Sequence, residues 1–172
     1  TGHTANPAHD LLLKMPDGMD PILGIFVAQM GPIAANGILH ADADQFGANV
    51  PNLGAGVEGR PVLVWGGGTV GLFCALFARA GGASEIVVVD PSPFRQDIAR
   101  KMGFTAMGED EAVRYAKSAW HHKVGGRGAE YVFQTRARSD SLHRCLQALR
   151  PQGTVIDLAF YQGGMDGARL GE

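Results

Sequence analysis

Apolar positions follow two different periods along this chain, and the changes between them mark out its elements. From residue 61 onward, short and almost wholly apolar runs alternate with stretches whose apolar positions lie three and four apart. The runs predict strands over 62–65, 85–90, 104–107, 131–135 and 154–160; the stretches predict helices over 69–82, 92–103, 109–123 and 139–149. Val70, Leu72, Phe73, Leu76 and Phe77 carry the first of these helices, and Ile86-Val87-Val88-Val89 is a β-branched run suited to a strand covered on both faces. Gly103 ends one helix, and Arg150-Pro151-Gln152-Gly153 stops another. Strands alternating with helices of about 10–15 residues build right-handed βαβ units. The expected fold class is therefore α/β, a Rossmann-type doubly wound parallel sheet with helices on both faces.

Before residue 61 the pattern changes. Residues 1–20 are irregular, with Leu11-Leu12-Leu13 the sole candidate strand and Met15-Pro16-Asp17-Gly18 a turn. Over 21–43 the period is helical, with Ile22, Ile25, Phe26, Met30, Ile33 and Ala34 on the expected apolar face. Gly31-Pro32 must kink or split that helix, because proline removes a backbone donor. Residues 45–60 read as a Gly- and Asn-rich loop and 161–172 as an unpatterned Gly-rich tail.

Composition narrows the function. The 172 residues suffice for one domain, or for one plus part of another. The net charge is −2 and no stretch concentrates Lys and Arg, so the electrostatic footprint of a nucleic-acid binder is missing. The most apolar stretch, 22–30, is interrupted by Gly24 and Gln29. It falls short of the roughly 18 residues that span a bilayer, and no basic-then-apolar leader precedes it. A cytoplasmic protein without membrane partners is expected. Cys74 and Cys145 lie in apolar helical patterns and read as buried free thiols. His121 and His122, adjacent on a helix, would point about 100° apart and would not chelate one metal. Trp65 reads as core packing. Asp157 is unusual in the middle of a strand, since a buried carboxylate is costly without a partner; it should face a helix N-terminus or solvent.

The chemistry lies where Val62-Leu63-Val64-Trp65 runs into Gly66-Gly67-Gly68-Thr69-Val70-Gly71. This is G-x-G-x-x-G between a strand and a helix. Gly66 permits the tight turn, Gly68 leaves room for a pyrophosphate against the backbone, and Gly71 lets the helix pack close to the strand. The N–H groups and positive dipole end of the helix would face the phosphates. Asp90 closes the second strand where a carboxylate can meet the adenosine ribose, which favours NAD over NADP.

With these residues in view, the chain resembles the medium-chain dehydrogenase/reductase superfamily, in particular its zinc-type alcohol, threonine and sorbitol dehydrogenase-like members. Residues 62–72 resemble the family's first strand and phosphate turn. Ile86-Val87-Val88-Val89-Asp90, Arg95 and Ala99-Arg100-Lys101-Met102-Gly103 resemble its second strand and following helix. Leu149-Arg150-Pro151-Gln152-Gly153-Thr154 resembles the approach to its fifth strand. The resemblance divides the chain into a remnant of the catalytic domain (1–20), a linking helix and loop (21–60), and an NAD-binding Rossmann domain (61–172) truncated before the sixth strand. It implies Gly66, Gly68, Thr69, Val70, Gly71, Asp90, Arg95, Thr135 and Ala159 as cofactor-binding residues, with no catalytic residue or metal ligand here. The whole enzyme would move a hydride between a small-molecule alcohol and NAD, hold a zinc that this chain does not bind, and be a homodimer or homotetramer.

The sequence departs from the family after the fourth strand. Gln134-Thr135-Arg136-Ala137 stands where Glu-Cys-Thr-Gly or a relative is usual, and Arg136 and Arg138 there are either solvated or in reach of the pyrophosphate. Three rival readings stay open: a zinc-free quinone or enoyl reductase of the same superfamily, a non-enzymatic nucleotide-sensing Rossmann module, and a methyltransferase, against which the glycine turn speaks.

Overall fold

The computed structural model describes residues 14–123 and 126–161. The candidate strand at Leu11-Leu12-Leu13 and the tail beyond Tyr161 lie outside the described residues.

Five parallel strands form one sheet: β1 (Pro61–Trp65), β2 (Glu85–Val89), β3 (Thr105–Met107), β4 (Ala129–Gln134) and β5 (Leu149–Asp157), in the order β3-β2-β1-β4-β5. Helices connect them: α1 (Pro21–Phe46) leads in, followed by α2 (Thr69–Ala80), α3 (Pro93–Lys101), α4 (Glu109–Ala119) and α5 (Ser139–Ala148). Val62, Val64, Ile86 and Val88 pack toward α1, α2 and α3, while Leu63, Trp65, Val87 and Val89 pack toward α4 and α5. Both faces of the central strands are thus buried, which is why they are apolar at almost every position. The α/β doubly wound expectation holds. Successive strands leave β1 in opposite directions, so a crevice opens between β1 and β4 at the carboxyl ends of the strands, where ligands of such sheets bind.

α1 differs from its sequence reading. It runs unbroken for 26 residues with Pro32 inside it, rather than splitting at Gly31-Pro32, and it continues through Phe46. Its buried face is also not the one predicted. Ile22, Ile25, Phe26 and Ile33 are exposed, whereas Gly24, Gly31, Ala34, Gly37, Ile38 and Ala41 are buried. Small residues pack here because the backbone itself comes close: a Cβ on Gly37 would lie 2.7 Å from Leu158 Cδ1. By length and composition α1 could also cross a membrane, contrary to the expectation that no segment could. The glycines and polar positions broke up its apolar runs and hid this. Its second half is instead docked on α2, with Ala34, Ile38 and Ala41 wholly buried.

Asp42, on that docked half, is fully buried and pins the following loop. Its Oδ2 accepts the N–H of Gly54 at 2.8 Å, and its Oδ1 accepts that of Gly56 at 2.7 Å. Gly54 has φ +94°, and a Cβ on it would lie 2.7 Å from Gly81 Cα. The loop therefore has a single fit, in a segment read from sequence only as a Gly- and Asn-rich loop. Asp42→Ala strips both N–H groups of their acceptor and should cost about 2–4 kcal/mol. Thermal unfolding should fall by roughly 5–15 °C, with Asp42→Asn losing about half as much. A shift under ~2 °C for the alanine variant would show that the loop is held by other means.

β5 begins at Leu149, earlier than predicted, because Arg150-Pro151-Gln152-Gly153 forms a bulge within it. Ala129 pairs with Leu149 and Tyr131 with Thr154, so β5 spends more residues than β4 between those pairs. Gln152 takes φ +63° to accommodate it. α4 ends at Ala119, short of the predicted 123, so His121 and His122 are not helical; their rings meet the Ser118 and Gly128 carbonyls. Cys74 and Cys145 are buried free thiols, and burial pushes the Cys74 thiol up to about 12.

Candidate functional site

The turn from β1 into α2 is built almost entirely from backbone. Gly66 has φ +109°, a conformation that side chains rarely adopt. Its N–H donates to Val89 O at 2.7 Å, tying the turn to β2. A Cβ on Gly71 would overlap the Gly66 carbonyl oxygen, so the first turn of α2 lies directly on the strand end. Gly68 is different. Its backbone is extended (φ −83°, ψ −173°), and a Cβ there would meet nothing within 4 Å. No side chain caps α2, and helical geometry leaves its first N–H groups without an intrahelical acceptor. Thr69 is exposed and Val70 half-buried at this end.

Asp90 reaches the turn. It is buried, its Oδ2 accepts the Gly67 N–H at 2.9 Å, and its Oδ1 accepts the Ser92 N–H at 2.9 Å. Arg95, half exposed, approaches Oδ2 at 3.5 Å. A Cβ on Gly67 would lie 3.3 Å from Arg95 Cβ and 3.4 Å from Asp90 Cβ. The glycine turn, the acid and the arginine therefore form one contiguous surface. Thr135, first residue after β4, closes the other side. Its hydroxyl donates to Trp65 O at 2.9 Å, and its N–H donates to the same oxygen at 2.8 Å. Ala159 stands apart, beyond β5, with its N–H held by Asp157 at 3.0 Å. Among the described residues no hydrogen bond ties it to the glycine turn.

Two features escaped the sequence. Glu109, at the start of α4, gathers the strand ends behind the crevice: its Oε1 accepts from Trp65 Nε1 at 2.9 Å, Arg136 Nη1 at 2.7 Å and Ser141 Oγ at 2.7 Å. Arg136 is thus committed to a carboxylate rather than free for a pyrophosphate, and Arg138 pairs with Asp140 at 3.1 Å. The acidic run Glu109-Asp110-Glu111 signalled a helix start, but not its partners, which come from β1, the β4–α5 connection and α5. Gln134 is the second feature. It is fully buried at the end of β4; its Nε2 donates to Arg136 O at 2.7 Å and its Oε1 accepts from Arg136 N at 3.2 Å. It braces the segment in which the expected glycine is absent.

Among the described residues no three His, Cys, Asp or Glu side chains converge where an ion could be held.

The chain is similar to several known proteins. "Probable D-xylulose reductase A" of Arthroderma otae is 36% identical over 159 residues, which are 91% of this chain and 39% of that protein. The alcohol dehydrogenase of Thermus sp. ATN1 superposes with a TM-score of 0.70 at 24% identity, over 90% of this chain and 40% of the other. A zinc-binding dehydrogenase from Sinorhizobium meliloti, solved with NADP bound, gives a TM-score of 0.61 at 24% identity, over 90% and 42%. The chain thus spans about two fifths of the length of these relatives. The family model described as zinc-binding dehydrogenase matches residues 69–169, more than half the chain, and so the protein belongs to the zinc-binding dehydrogenase family.

Proposed function

We propose that this chain holds a nicotinamide dinucleotide across the carboxyl ends of its strands, as the cofactor-binding part of an alcohol dehydrogenase-like oxidoreductase. The observation that carries the reading is Gly68. Nothing within the fold requires glycine there, since its backbone suits any residue and a Cβ would point into open space. A ligand lying against the backbone supplies the missing reason. The uncapped first turn of α2 adds N–H donors and a positive dipole end for a pyrophosphate. When bound, the nicotinamide supplies the hydride chemistry for a small alcohol or ketone, the class that the relatives' names describe.

NAD is proposed over NADP. The Asp90 carboxylate keeps lone pairs beyond those used by Gly67 and Ser92, and these suit ribose hydroxyls. A 2′-phosphate would bring like charge to it. Arg95 at 3.5 Å tempers that repulsion, so the preference should be about tenfold to a hundredfold, or ~1.4–2.7 kcal/mol. Calorimetric titration of the chain with each cofactor tests both parts. Asp90→Ser should narrow the gap, and Arg95→Ala should widen it. Equal affinities in the unmodified chain would contradict the placement of Asp90, and no binding of either cofactor would remove the site.

A further inference from the structure

We propose that the Asp157 carboxylate favours the oxidised, cationic nicotinamide over the neutral reduced ring, setting the balance between the two cofactor forms. The inference rests on the dinucleotide reading above.

It starts from the sheet register. Met107, Val89, Trp65, Gln134 and Asp157 pair successively across all five strands, forming one row near the carboxyl ends. The pyrophosphate turn follows Trp65 in the centre of that row, and Asp90 follows Val89 on one side. With the adenosine toward β2, the other half of the dinucleotide extends over β4 and β5. Asp157 ends β5 there, two strand spacings from β1, or about 10 Å.

The side chain is held and exposed. Its Oδ1 accepts the Ala159 N–H at 3.0 Å, and its Oδ2 accepts the Tyr161 hydroxyl at 3.0 Å. Burial, with the adjoining carboxylate, pushes the Tyr161 hydroxyl up to about 12, so it remains a donor that fixes the carboxylate. Gln134 Nε2 meets the same hydroxyl at 3.4 Å from the buried side. Among the described residues, none of the ion pairs involves Asp157, and its two oxygens are held by an N–H and a hydroxyl rather than by a cation. An exposed carboxylate at the end of β5, the outermost described strand, has no part in the packing of the core. Reduction of the ring removes one positive charge and leaves the rest of the dinucleotide nearly unchanged. A fixed negative charge therefore discriminates between the two forms.

The test compares the unmodified chain with Asp157→Asn, which keeps a carbonyl for Ala159 and removes the charge. NAD+ and ADP-ribose are titrated calorimetrically, and NADH by fluorescence. NAD+ should bind about three- to tenfold more weakly to the variant, the size of effect one charge has on another nearby at a protein surface. NADH and ADP-ribose, which lack the cationic ring, should change by less than about twofold. The NAD+ difference should shrink as salt is raised. An unchanged NAD+/NADH ratio, with all three ligands bound, overturns this inference alone. Equal losses for all three mean a structural role and overturn it too. Failure of the unmodified chain to bind any of them overturns it together with the dinucleotide reading.

Discussion

Gly71→Ala should cost the fold more than about 3 kcal/mol, enough to lower thermal unfolding by roughly 6–12 °C. The reason is geometric. The new Cβ would overlap the Gly66 carbonyl oxygen and approach Gly66 C and Thr135 Oγ1 at 3.0 Å. None of these neighbours can give way. Gly66 is held by the N–H bond to Val89 O at 2.7 Å and by its φ of +109°, and Thr135 bonds twice to Trp65 O. α2 would have to lift from β1, opening contacts around Cys74 and Ala75, both wholly buried. Elsewhere in a helix the same exchange would stabilise by up to about 1 kcal/mol, because alanine is the better helix former. The sign of the effect is therefore the test. Circular dichroism melts showing Gly71→Ala as stable as the unmodified chain would mean that the strand and helix are farther apart than described.

That glycine was legible in the sequence, and so was most of the sheet. The strands announced themselves because a strand covered on both faces needs apolar residues at every position, as Ile86-Val87-Val88-Val89 shows. The helices of the βαβ units announced themselves by period. α1 did so only in part. Its true contact face is made of Gly24, Gly31, Ala34, Gly37 and Ala41, whose small size permits close approach while contributing little hydrophobic signal. Ile38 joins them on that face, but Ile22, Ile25, Phe26 and Ile33 are exposed, so apart from Ala34 periodicity selected the wrong face. Pro32 is exposed and sits within a continuous helix; the lost donor did not break it.

The candidate site was legible where it rests on backbone requirements, and hidden where it depends on side chains meeting across the fold. Gly66, Gly68, Gly71 and Asp90 stand at fixed distances from strand ends, and a single sequence shows that. The Glu109 cluster joins residues from β1, α4, the β4–α5 connection and α5, with Trp65 and Arg136 71 positions apart in the chain (136 − 65). No local pattern encodes such a meeting. Asp42 is similar: an acid late in a helix normally reads as solvated, and only the fold brings the Gly54 and Gly56 N–H groups to it.

Gly68→Val should give the opposite outcome to Gly71→Ala: a folded chain that no longer binds dinucleotide. Its backbone, at φ −83° and ψ −173°, lies in the extended region that valine favours, and the new side chain would project into open space. Stability should therefore change by no more than about 1 kcal/mol. Binding should not survive. The branched side chain would stand between the first turn of α2 and any phosphate placed on it, screening N–H donors that have no other partner. Charge-assisted hydrogen bonds contribute about 1.5–3 kcal/mol each, so losing two weakens binding by roughly a hundredfold to ten-thousandfold. Gly68→Ala, with a single methyl, should lie between the two. NADH fluorescence titrations alongside circular dichroism melts separate fold from site. If Gly68→Val melts normally and binds NADH as tightly as the unmodified chain, the pyrophosphate does not lie on this turn. If it unfolds, Gly68 serves the fold and the space around it is not open to a side chain. Normal melting with lost binding leaves the ligand as the reason for glycine at this position.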